Sequence, residues 1–95
     1  MILGKVVGTI VCSSKNDNMP EARYLIIDKC NQKGIKKGDY FVALDLIGAG
    51  NDELVMISES SSARETETTF NKPVDAVIVG IIDLIDEYET VVYKK

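Results

Sequence analysis

The chain has 95 residues, enough for one domain with one core and too few for a second. Hydrophobic residues make up 45% and charged residues 27%, which fits a globular domain and excludes a disordered or fibrous class. A formal net charge of −4 opposes a nucleic-acid partner, because affinity for phosphates rests on Lys and Arg displacing counterions.

Period-two alternation with β-branched residues dominates the sequence, and no segment holds an apolar pattern at helical spacing over three turns; the fold class is all-β. The first strand runs from about Ile2 to Cys12, with Ile2, Val6, Ile10 and Cys12 on one face and Leu3, Val7 and Val11 on the other. Lys5 interrupts its apolar run, so no targeting segment is expected there, and no window approaches the roughly 18 apolar residues of a membrane span. Gly4 and Gly8 share a face, where missing side chains let a long strand coil as small barrels require.

Residues 13–20 are polar and rich in turn formers, a surface loop. Arg23 to Cys30 reads as the second strand and is closed by the turn Asn31-Gln32-Lys33-Gly34. Lys37-Gly38-Asp39 leads into a third strand, Tyr40 to Leu46, with Tyr40, Val42, Leu44 and Leu46 on one face. Glu53 to Ser58 makes a fourth strand after Gly48-Ala49-Gly50. Ser62-Ala63-Arg64-Glu65 has the capping-box pattern of one short helical turn, and the threonines at 66, 68 and 69 keep it short. Val74 to Leu84 is a fifth strand, with Val74, Ala76, Ile78, Ile82 and Leu84 facing together and Val77, Val79 and Ile81 opposite. A strand apolar on both faces is expected where the core covers one side and a neighbouring subunit the other. The tail beyond Asp86, Tyr88 to Tyr93, could add a short edge strand.

Little in the chain suggests catalysis. It has no histidine, which removes the commonest general base and metal ligand. Ser60, Ser61 and Ser62 lie in no nucleophile elbow, and Asp45, Asp52, Asp75 and Asp83 show no calcium-loop spacing; acids at strand ends are ordinarily solvated or bonded to loop amides. Cys12 and Cys30 fit no metal or redox spacing and read as buried thiols of a cytoplasmic protein. Gly48-Ala49-Gly50 lacks the third glycine and helix of a dinucleotide fingerprint, and its bare residues fit a plain β-turn. Catalytic, cofactor and metal sites are therefore not expected.

Three segments carry a resemblance: Leu3-Gly4-Lys5-Val6-Val7-Gly8-Thr9, Asp45-Leu46-Ile47-Gly48-Ala49-Gly50, and Ser61-Ser62-Ala63-Arg64 followed by Pro73 through Asp83. Their order and spacing resemble the EutN/CcmL family of bacterial microcompartment and carboxysome vertex proteins, from Met1 to about Asp83. The resemblance implies a single domain over 1–95, a small five-stranded OB-like β-barrel assembled as a cyclic homo-pentamer. Such a ring would supply the five-fold corners at which a sheet of hexameric shell proteins closes. It also implies no enzyme activity and no cofactor. Gly48, Ala49 and Gly50 match a loop that rims a narrow pore on the five-fold axis. Ser61, Ser62 and Arg64 match a segment near a subunit boundary, although Arg64 could equally be a plain exposed arginine. The alternative is an OB-like binding module for a nucleic acid or other ligand, which the negative charge and 6% aromatic content oppose.

Overall fold

The computed structural model describes residues 1–11, 23–59 and 75–95. Five strands form a closed barrel: β1 (Ile2–Ile10), β2 (Arg23–Cys30), β3 (Lys36–Asp45), β4 (Leu54–Glu59) and β5 (Ala76–Ile81). Their order around the barrel is β1-β2-β3-β5-β4, every pairing antiparallel except the parallel β3–β5 seam. This is the five-stranded OB-like barrel that the resemblance implies. The expected helical turn at Ser62-Ala63-Arg64-Glu65, the loop 13–20, Cys12 and Val74 lie outside the described residues.

Alternation places Val6, Leu25, Ile27, Ala43, Val55, Ile57, Ala76 and Ile78 inside the barrel, all buried. Fully burying each of the larger aliphatic side chains contributes about 1.5–3 kcal/mol. Gly4 lies among them because β1 passes close to β2 there. A Cβ at Gly4 would run into Ile27 Cγ2, with the Asp28 carbonyl oxygen 3.1 Å away.

Bulges set the strand phases in ways that strict alternation does not. On β3 the inward residues are Phe41 and Ala43; Tyr40 and Val42 point out and are 63% and 51% exposed. Leu44 is buried on the outer side of the β3–β5 seam with Val77 and the half-buried Tyr24. β3 also begins earlier than the sequence reading has it, because Asp28 of β2 reaches across to its first residues. The buried Asp28 carboxylate accepts hydrogen bonds from the Gly38 and Asp39 amides at 2.8 and 3.1 Å, so 36–39 joins the ladder.

β5 requires a correction. Ile57 opposes Ile78 and Met56 opposes Gly80, leaving Val79 as the extra residue of a bulge. The bulge flips the phase, so Ile81 rather than Ile82 packs on the core, and the strand ends there. Leu84 belongs instead to β6 (Leu84–Glu87), which among the described residues pairs only with β7 (Thr90–Lys94) in a separate two-stranded sheet. The tail thus supplies a short strand, β7, in a hairpin apart from the barrel. Closure explains why: every barrel strand already has two neighbours, and no edge is left to receive another. The Tyr93 ring packs against Gly34 in the β2–β3 turn, and the Lys95 amide donates to the Asp83 carbonyl.

Candidate functional site

The loop between β3 and β4 is the most tightly specified irregular segment among the described residues. Asp45, the last residue of β3, has a fully buried side chain. Its Oδ1 accepts from the Ile47 amide at 3.1 Å and the Gly48 amide at 3.0 Å, and both oxygens accept from the Ala49 amide, at 3.2 and 3.1 Å. Arg23, its cross-strand partner on β2, brings a guanidinium nitrogen to 3.5 Å from Oδ2. The short acid thus gathers three consecutive amides, and the arginine offsets its charge from the solvent side.

The loop's exit is held as firmly. The Gly50 amide donates to Glu53 Oε1 at 2.6 Å, and the Glu53 amide returns to the Gly50 carbonyl at 3.3 Å. Asp52, at φ +66°, donates its amide to the Val6 carbonyl at 2.8 Å, and the Val6 amide donates to the Glu53 carbonyl. Glu53 Oε2 meets the Lys95 ammonium at 2.6 Å. The hydrogen bond from Lys95, then that from the Gly50 amide, hold the Glu53 carboxyl below its ordinary value; donating that same bond to Glu53 raises Lys95. The end of the C-terminal hairpin is thereby wired to the glycine loop.

Between these anchors the loop presents Leu46, Ile47 and Gly48 to solvent. Gly48 has φ +80°, a conformation that a side chain resists, while a Cβ there would meet nothing within 4 Å. The constraint on Gly48 is therefore its backbone, not space. Ala49 is 0% exposed, and its methyl is part of the barrel core. Of Gly48, Ala49 and Gly50, Gly48 is exposed in the single subunit, Gly50 half-buried and Ala49 buried. Ser61, Ser62 and Arg64 lie outside the described residues.

Nothing in this arrangement favours bond-making. The Asp45, Glu53 and Asp28 carboxylates are all engaged by backbone amides, and no group of three His, Cys, Asp or Glu able to hold a metal occurs among the described residues. Burial pushes the Cys30 thiol up, with the charge of Asp28 adding to it, and its Sγ lies 3.4 Å from the Asp28 carbonyl. That is an inert thiol rather than a nucleophile. Asp45 fulfils the expectation of a strand-end acid bonded to loop amides. Asp28 and Glu53 were not singled out in the sequence; their only signals are an acid interrupting an apolar strand and an acid three residues beyond a glycine.

Comparison with known proteins places this geometry. The family described as "Ethanolamine utilisation protein EutN/carboxysome" matches residues 1–83. The bacterial microcompartment shell vertex protein GrpN of Rhodospirillum rubrum is 40% identical over 86 residues, covering 90% of this chain and 97% of GrpN. The carboxysome shell vertex protein CcmL of Gloeobacter violaceus is 38% identical over 95 residues, 100% of this chain and 95% of CcmL. The solved CcmL structure superposes with a TM-score of 0.94 over 100% of this chain and 98% of that one. The GrpN structure, a pentameric microcompartment shell protein, does so at 0.79 with 38% identity, over 94% of this chain and 100% of its own.

Proposed function

From the premise that this chain belongs to the EutN/CcmL family, we propose that it is a structural subunit whose pentameric rings form the vertices of a bacterial microcompartment shell in the cytoplasm. The observation that carries this reading is the likeness to the pentameric GrpN over 94% of the chain. A closed ring of identical copies is heterologous, so each subunit offers two different surfaces. The apolar residues on the outer faces of β3 and β5, Tyr40, Val42 and Val79, suit such burial. A flat layer of hexagonal subunits cannot close without five-fold points. The partners we assign to the ring's edges are hexameric shell proteins.

Within the ring, the β3–β4 loop is placed toward the five-fold axis, with Gly48 as the rim residue and Gly50 behind it. Ala49 serves from inside, its methyl locking the loop onto the barrel. Ser61, Ser62 and Arg64 are assigned to the subunit boundary on family pattern alone. The decisive experiment is native mass spectrometry of the purified chain, followed by electron microscopy of shells assembled with and without it. Five-subunit rings, and closed polyhedra only when the chain is included, are expected. A monomer at micromolar concentration, or shells that close equally well without the chain, would overturn the assignment.

A further inference from the structure

The C-terminal hairpin has a feature that the barrel does not explain. Its turn residues, Tyr88 and Glu89, both sit in the left-handed region at φ 52° and 66°, the pairing a two-residue hairpin turn demands. Asn-Gly adopts that conformation readily; a tyrosine and a glutamate do so against steric resistance. The strain displays Tyr88 at 97% exposure on a tip flanked by Asp86, Glu87 and Glu89, none of which forms an ion pair with a described residue. Strained backbone that projects an aromatic side chain into solvent is expected where the aromatic has a receiver.

A complementary surface exists on the barrel. A groove of about 410 Å³ is lined by Met1, Leu3, Met56, Cys30, Lys29 and Lys37, and no hairpin residue lines it. Two thioethers and a leucine make an adaptable apolar wall for a ring, since methionine contacts aromatic edges favourably. Lys37 pairs with no acid among the described residues, and Lys29 meets the exposed Asp39 at 3.5 Å and lies 5.9 Å from the centre of the Phe41 ring. The groove is thus apolar with cations at its margin, and the tip is aromatic with anions at its margin. Volumes of about 300–1,000 Å³ are those of pockets that take a small-molecule-sized group, ample for a tyrosine side chain.

Resting on the ring reading above, we propose that the groove receives the Tyr88 tip of the next copy's hairpin, with Glu87 and Glu89 of one copy facing Lys29 and Lys37 of the other. Tip and groove are different surfaces of one chain, which is what a closed heterologous ring uses. The hairpin also reaches the β3–β4 loop through Lys95 and Glu53, so this contact would be mechanically joined to the loop assigned to the axis.

The test has two arms, both on the full chain. In the first, Glu89→Lys and Lys37→Glu are compared singly and combined by native mass spectrometry across a dilution series. Each single reversal is expected to raise the concentration at which rings dissociate by about tenfold or more, and the double reversal to restore it in part. In the second, Tyr88 is replaced by the photoreactive p-benzoylphenylalanine, and cross-links are mapped by peptide mass spectrometry. Links to Met1, Leu3 or Met56 of another copy are expected. Wild-type rings that tolerate both single reversals, or cross-links that fall elsewhere, overturn this contact and leave the vertex reading standing. A wild-type chain that forms no ring overturns both.

Discussion

Replacing Asp45 with alanine should destabilise the β3–β4 loop more than any other single truncation among the described residues that anchor it. The variant strips the acceptor from three amides at once. The Ala49 amide is buried and would have no water to turn to, a loss of about 1–3 kcal/mol. Ile47 and Gly48 are exposed and can rehydrate, so each of their bonds counts for about 0.5–1.5 kcal/mol. The Arg23 partner is more than half exposed and adds little, about 0–1 kcal/mol. Removing the carboxylate also relieves its own desolvation, which leaves about 2–5 kcal/mol for Asp45→Ala. Asp45→Asn keeps the single oxygen that accepts from all three amides and should lose only about 1–2 kcal/mol. Urea denaturation followed by far-ultraviolet circular dichroism checks the order, with all variants at one protein concentration because ring dissociation is coupled to unfolding. A loss below about 1 kcal/mol for the alanine variant, or asparagine as harmful as alanine, would refute the amide-anchor account.

Gly4→Ala should lower stability by about 1–3 kcal/mol through overpacking against Ile27. Gly8→Ala, whose new methyl would sit 3.5 Å from Ile26, should be near neutral in the same thermal melts. Gly34→Ala combines φ +77° with a Cβ 2.8 Å from the Tyr93 ring, so hydrogen exchange should quicken across 84–94 while β1 to β5 stay protected. The Glu53–Lys95 pair has a definite sign in pH. Because the Glu53 carboxyl is lowered, its contribution is intact above the ordinary carboxylate value and is lost as pH falls through the lowered one. Because Lys95 is raised, its contribution is intact below the ordinary ammonium value and is lost as pH rises through the raised one. The melting-temperature gap between the natural chain and Glu53→Gln should therefore be widest between those limits and close at both ends. A gap that does not change with pH would show that the pair contributes through packing alone.

Much of the molecule is legible without coordinates. Alternating β-branched runs announce an all-β chain, the missing histidine and unspaced cysteines and carboxylates argue against catalysis, and three short segments carry the family. Glycine at 48 is legible too, since a strand-connecting loop calls for a residue that accepts positive φ. Other features were not. Alternation shows that Tyr40, Val42 and Leu44 share a face of β3, yet the face turned inward is the one carrying Phe41 and Ala43. Ala49 sits between two glycines and looks like a third small loop residue, but its methyl is core. Bulges leave no mark in composition, so the phase flip at Val79 and the end of β5 at Ile81 are invisible until β4 lies beside it.

The all-β class and the two-sided apolar strands are thus properties of the sequence alone, because each depends on residue types and spacings within a few positions, whereas the barrel was implied by the resemblance and not by spacing. Which face is inward, where the chain slips by one residue, and why the tail folds on itself depend on which strands are neighbours. Those neighbours are far apart in the chain, as with Asp28 and Gly38, Val6 and Glu53, or Gly34 and Tyr93, and only the closed barrel brings them together.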